Sequence, residues 1–175
     1  EAVITGLEAP TSMDSTSTGG LFVAEKAGRI RYFRSVNDRA PTLVADLSEA
    51  VMNFYDRGLL AIAVHPSFPA EPYVYVLYTY DAPIGGVAPV YNDLDNREVN
   101  GTASGRLSRL ELTPTEDGGY VLATEHVLVH DWCQDFSVHS VASLAFGPDG
   151  YLYAGAGDSG AFVRTADTGQ HGNLC

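Results

Sequence analysis

One phrase occurs twice along the chain: an apolar strand, a proline, a turn, then a strand with tyrosines at alternate positions. The first copy is Ile62-Ala63-Val64-His65-Pro66 followed by Tyr73-Val74-Tyr75. The second is Leu144-Ala145-Phe146-Gly147-Pro148 followed by Tyr151-Leu152-Tyr153. A repeat of this kind narrows the fold sharply, because each copy is one supersecondary unit that buries its apolar face only against the next.

The strands around these copies fall into sets of four. Leu21-Phe22-Val23-Ala24-Glu25-Lys26 is a short apolar strand, Ala27-Gly28 a turn, and Arg29-Ile30-Arg31-Tyr32-Phe33 alternates as a half-buried strand does. Thr42-Leu43-Val44-Ala45-Asp46-Leu47 follows, and residues 11–15 supply a preceding strand. A second set comprises residues 58–65, Tyr73-Val74-Tyr75-Val76-Leu77-Tyr78-Thr79-Tyr80, Gly105-Arg106-Leu107-Ser108-Arg109-Leu110-Glu111-Leu112 and Glu125-His126-Val127-Leu128-Val129-His130. The 18 Gly and 9 Pro supply the dense punctuation that short strands need. Four-stranded antiparallel units repeating at roughly 50 residues are propeller blades. The expected fold is all-β: blade one about 11–50, blade two about 58–130, and the start of blade three about 139–175. Propellers close with roughly four to eight blades, so about two and a half blades cannot close a ring. The chain is expected to be a fragment whose remaining blades lie on a missing part or on another chain.

Residues 81–104 break the repeat and read as a long loop rich in Pro, Gly, Asn and Asp. Asp93, Asp95 and Glu98 offer oxygens there but lack the spacing of a dedicated calcium loop; no metal site is expected in this chain. Asn100-Gly101-Thr102 fits the glycosylation acceptor pattern.

The formal charge of −12, with one lysine, Lys26, excludes nucleic acid as an expected partner. No apolar run reaches the ~20 residues of a membrane-spanning helix, and no leader pattern opens the chain. A secreted or periplasmic protein is expected. Two cysteines, Cys133 and Cys175, lie in segments that read as loops. The count leaves a bridge and two free thiols both open; the exported character favours the bridge.

Several phrases, in this order, carry a resemblance: Glu25-Lys26 before Gly28-Arg29-Ile30, Asp56-Arg57-Gly58-Leu59-Leu60, His65-Pro66-Ser67-Phe68, Ser104-Gly105-Arg106-Leu107, His139-Ser140, Phe146-Gly147-Pro148-Asp149-Gly150 and Gly155-Ala156-Gly157-Asp158. Together they resemble the glucose/sorbosone dehydrogenase family, six-bladed propellers that hold pyrroloquinoline quinone. The resemblance implies oxidation of an aldose or related sugar aldehyde at its anomeric carbon, with an external electron acceptor. It implies that His139 takes the hydroxyl proton and that Asp158 holds its imidazole. Elementary chemistry agrees: imidazole titrates near neutral pH, and a carboxylate on its far nitrogen sets the tautomer. Antiparallel neighbours bring the start of one strand beside the end of the next. Asp56 matches a position where relatives carry a polar residue facing sugar or quinone, an amide in a glucose-oxidising relative; Arg57 beside it reads as a local cap or pair. His65, His126, His130 and His171 show no partner pattern. Most ligands of the quinone and of the calcium beside it are expected outside this chain, so the isolated chain is expected to be inactive.

The competing expectation is a non-catalytic extracellular propeller that binds a protein or glycan partner. A calcium-dependent hydrolase would need acidic and amide side chains on the innermost strands, and residues 58–65 and 141–146 are apolar there.

Overall fold

The computed structural model describes residues 4–91 and 102–159. Ten strands follow in order: β1 Pro10–Ser15, β2 Leu21–Glu25, β3 Arg29–Phe33, β4 Thr42–Asp46, β5 Leu59–Val64, β6 Tyr73–Tyr80, β7 Ala103–Pro114, β8 Tyr120–Gln134, β9 Val141–Phe146 and β10 Leu152–Ala156. They form two four-stranded antiparallel sheets, β1-β2-β3-β4 and β5-β6-β7-β8, and a two-stranded sheet, β10-β9. The fold is a partial β-propeller with two complete blades and the first half of a third. Among the described residues no helix is long and apolar enough to cross a membrane.

Local sequence accounts for the meanders. In blade one, Gly28 turns the chain between β2 and β3 at φ 108, and a Cβ there would press on the Leu47 and Ser48 backbone at 2.9 Å. β3 alternates burial as its sequence alternates polarity, with Ile30 inside and Arg31 half-buried. The second blade differs in its first strand, which is covered on both faces. All but Leu60 of β5 is buried, which is why Leu59-Leu60-Ala61-Ile62-Ala63-Val64 is an unbroken apolar run.

Two cores hold the blades together. The larger lies between blades one and two and contains Phe22, Ile30, Ile62, Val76, Tyr78 and Leu110. The smaller joins blade two to β9, through Ala61, Leu77, Leu107 and Val141. The first strands of successive blades are also stitched by side chains. Thr11 Oγ1 donates to Leu59 O at 2.6 Å, and Val64 N–H donates to Asp14 Oδ2 at 2.8 Å.

Three features differ from the sequence reading. β7 begins at Ala103, inside the stretch expected to be loop, because Ser104 and Gly105 complete the register opposite Tyr80 and Thr79. β8 runs on to Gln134, four residues past the expected strand, since 132–134 pair with the start of β7 beyond a bulge. Cys133 therefore sits in a strand, opposite Ser104, and not in a loop. Asp93, Asp95, Glu98, Asn100, Gly101, His171 and Cys175 lie outside the described residues.

Candidate active site

The turn before β5 is anchored at both ends. Arg57 N–H donates to Phe54 O at 2.9 Å, closing residues 54–57. The Arg57 side chain is fully buried, with Nη2 donating to Gln134 O at 2.7 Å and Nη1 3.4 Å from Met52 Sδ. Burial pulls its guanidinium pKa down to about 10, with Tyr91 and Asp135 opposing the shift; it stays charged at neutral pH. Arg57 thus joins the start of blade two to the end of β8, which corrects the local role read from sequence. Phe54 packs on the small cluster of Met52 and Ala103. With Phe54 and Arg57 held, Tyr55 and Asp56 are displayed outward.

The approach to β9 meets this turn. Asp56 N–H donates to Ser137 O at 3.0 Å, and His139 N–H donates to Asp56 Oδ2 at 3.1 Å. Gln134 Oε1 accepts from Val141 N–H at 2.9 Å, fixing where β9 begins. His139 has φ 52, a left-handed conformation uncommon for a side-chain-bearing residue. Its Nδ1 stands 2.7 Å from Asp158 Oδ1, across the mouth of the β9–β10 hairpin. Two backbone bonds complete the clasp, Gly157 N–H to Ser140 O at 2.9 Å and Ser159 N–H to His139 O at 3.1 Å. Gly157 is required by close approach: a Cβ there would come within 2.7 Å of the His139 carbonyl carbon. The three polar residues singled out from sequence, Asp56, His139 and Asp158, are thus linked in one hydrogen-bonded chain.

Asp56 and His139 border a cleft of about 580 Å³, whose walls include Thr11, Lys26, Tyr55 and Gly157, with Asp158 joined to it through His139. Lys26 was not singled out as a site residue by sequence reasoning. Its Nζ donates to Asn53 Oδ1 at 2.7 Å. Burial lowers its ammonium pKa from the ordinary value, and the charge of Asp56 opposes the shift. The cue available in sequence was that the chain's single lysine directly precedes the Gly28 turn.

The other described histidines have partners in blade two, and His65 also meets a ring of blade three. His65 accepts from Ser67 N–H at 3.2 Å and lies against Tyr73, Tyr75 and Phe146. His126 is 3.5 Å from Glu111, and His130 Nδ1 is 2.7 Å from Asp131. Tyr78, packed inside blade two, donates to Glu125 Oε1 at 2.7 Å, and burial raises its phenol pKa further than Glu125 does.

The cleft can hold a neutral polyol beside a base, but its described walls do not fit pyrroloquinoline quinone on their own. That group carries several carboxylates, and the cation lining this cleft is Lys26, already engaged by Asn53. Among the described residues no group of three or more His, Cys, Asp and Glu converges as a metal site.

Comparison with known proteins gives a consistent picture. The profile of the family "Glucose / Sorbosone dehydrogenase" matches residues 7–173. Of solved structures, a Thermus thermophilus protein described as an oxidoreductase (glucose dehydrogenase) is 32% identical with TM-score 0.64, over 90% of this chain and 39% of that one. The pyrroloquinoline-quinone-bound aldose sugar dehydrogenase of Streptomyces coelicolor shares the fold at TM-score 0.69 and 22% identity, over 92% of this chain and 41% of that one. The mouse hedgehog-interacting protein is 27% identical over 164 residues, 90% of this chain and 22% of its own length. The chain thus spans about two fifths of the similar structures and about a fifth of that curated relative. With the family profile matched along almost its whole length, the chain belongs to the glucose/sorbosone dehydrogenase family.

Proposed function

We propose that this chain is the part of a quinone-dependent sugar dehydrogenase that carries its catalytic base. The observation that carries the reading is the His139–Asp158 pair, Nδ1 to Oδ1 at 2.7 Å, with His139 on the wall of an open cleft. Nδ1–H donates to the carboxylate, so Nε2 is the nitrogen that takes a proton from the anomeric hydroxyl of an aldose. Asp158 stabilises the imidazolium that results. Asp56 is the positioning residue, acting on His139 through the backbone N–H it accepts. Pyrroloquinoline quinone, with calcium, would supply the two-electron acceptor before an external acceptor takes over. Their ligands belong to further blades, on more of the same polypeptide or on another chain, and the isolated chain is inactive. The protein is secreted or periplasmic, with Cys133 bridged to Cys175.

The second reading is a non-catalytic extracellular propeller that binds a protein or glycan. The 27% identity to hedgehog-interacting protein, named for a protein partner, favours it. The two readings separate on one assay. The full protein, with all its blades, is mixed with pyrroloquinoline quinone, calcium and a redox dye, then with an aldose. Sugar-dependent dye reduction is expected. A full protein that binds no quinone and reduces no dye contradicts the enzyme and leaves the binding propeller.

A further inference from the structure

The turn that presents Asp56 also presents an aromatic ring, and nothing in the acid–base arrangement uses it. Tyr55 is 69% exposed on the cleft wall, one residue from Asp56, which hydrogen-bonds the His139 backbone. Its ring stands edge-on to Phe54, with centroids 4.5 Å apart and planes at 87°. Phe54 packs against buried Met52 and Ala103, so the support beneath Tyr55 is fixed. The backbone at Tyr55 has φ 49. That conformation strains any residue with a Cβ and suits glycine. A bulky aromatic held there, exposed, at an otherwise rigid turn, is a local cost that folding does not explain, and such outliers direct attention to function.

We propose that Tyr55 is the platform against which the sugar ring lies while its anomeric end meets His139. This inference rests on the sugar-dehydrogenase reading of the cleft. A pyranose presents an apolar face of C–H groups and a polar edge of hydroxyls. Tyr55 offers the flat, polarisable surface for the first, and the adjoining Asp56 and Lys26 offer polar groups to the second. The arrangement selects a ring-closed aldose over an open-chain aldehyde, which has no such face to lay down. Tyr55 contributes binding and no chemistry, so its loss appears in KM and leaves kcat in place.

The test uses the full protein loaded with quinone and calcium, and the variants Tyr55→Phe, Tyr55→Ala and Tyr55→Gly. Two ligands serve: glucose as reducing sugar, and methyl β-glucoside, which cannot be oxidised at the anomeric carbon, for direct calorimetric binding. Tyr55→Phe is expected to keep KM within about twofold. Tyr55→Ala and Tyr55→Gly are expected to raise KM and the methyl glucoside Kd by about tenfold, with kcat nearly unchanged. Tyr55→Gly is also expected to unfold at the wild-type temperature or above, because it relieves the left-handed backbone. An active wild type whose KM and Kd are unmoved by Ala and Gly overturns the platform. A fall in Tm with kcat and KM failing together overturns it too, since that is the mark of a structural residue. If the wild type oxidises no aldose, the enzyme reading fails, and methyl glucoside binding alone decides. Binding weakened about tenfold in Tyr55→Ala supports the platform, and equal or undetectable binding overturns it.

Discussion

His139 is gripped from three sides by groups of different kinds: the Asp158 carboxylate on its ring, the Asp56 carboxylate on its N–H, and the Ser159 N–H on its carbonyl. These contacts offset a left-handed backbone that costs roughly 1–2 kcal/mol in a residue with a Cβ. Gly157 makes the clasp possible. Gly157→Ala puts a methyl against the His139 carbonyl carbon and Cβ at 2.7 and 2.9 Å, and the backbone carbonyl leaves little room to yield. Steady-state kinetics of this variant should show kcat down by about 10²-fold, the scale of a misplacement of about 1 Å, with a folded circular-dichroism spectrum. Unchanged kcat would mean that His139 tolerates displacement and is not the base. The family resemblance implied the His139–Asp158 pair, and the meeting of antiparallel strand ends agreed with it. Sequence did not show Tyr55's φ or Arg57's burial. Arg57's burial depends on Gln134, whose carbonyl meets the turn only after β8 has folded back along β7.

At the scale of the element, the strand order of both blades was legible, while the reach of the outer strands was not. β8 has Val127, Leu128 and Val129 all at least 40% exposed, so no buried face marks where it starts or ends. Its bulges further blur the period. A second element-scale feature is the β3–β4 loop. Arg34 donates to both carboxylate oxygens of Asp38, at 2.9 and 3.1 Å, and its Nη1 reaches Asp117 O in the β7–β8 turn at 3.0 Å. One guanidinium therefore ties a loop of blade one to a turn of blade two. The Arg34 side-chain bond, then the Ala40 and Arg34 N–H groups, hold the Asp38 pKa well below the usual carboxylate range. A depressed carboxylate pKa means that the unfolded state takes the proton first as pH falls. The stabilisation is therefore whole above the unfolded value of about 4 and is lost as pH drops through the folded value. Thermal melts of the wild type and Asp38→Asn should differ by a constant interval from pH 7 to 5 and converge below about pH 4. A gap that persists at low pH would assign the stabilisation to packing instead.

At the scale of the whole molecule, a cluster of aromatic side chains joins blades one and two. Phe22, fully buried in blade one, meets Tyr32, Phe68 and Tyr120 at centroid distances of 4.7, 5.5 and 6.1 Å. Phe68 and Tyr120 belong to blade two, so this cluster is the hinge pin between the two sheets. Phe22→Ala should cost about 3–5 kcal/mol in denaturant unfolding. A loss below about 1 kcal/mol would show that the blades are held mainly by the β1–β5 hydrogen bonds. The repeat made this architecture readable from the start, since Ile62 to Tyr75 and Leu144 to Tyr153 are the same two strands of successive blades. The central claim, that His139 is the base of a sugar dehydrogenase, meets its most direct test in aldose-dependent dye reduction by the quinone-loaded full protein and its His139→Gln variant. The account predicts turnover in the wild type and a fall in kcat of about 10²–10⁴-fold in the variant, with quinone still bound. Equal turnover in the two proteins would contradict it.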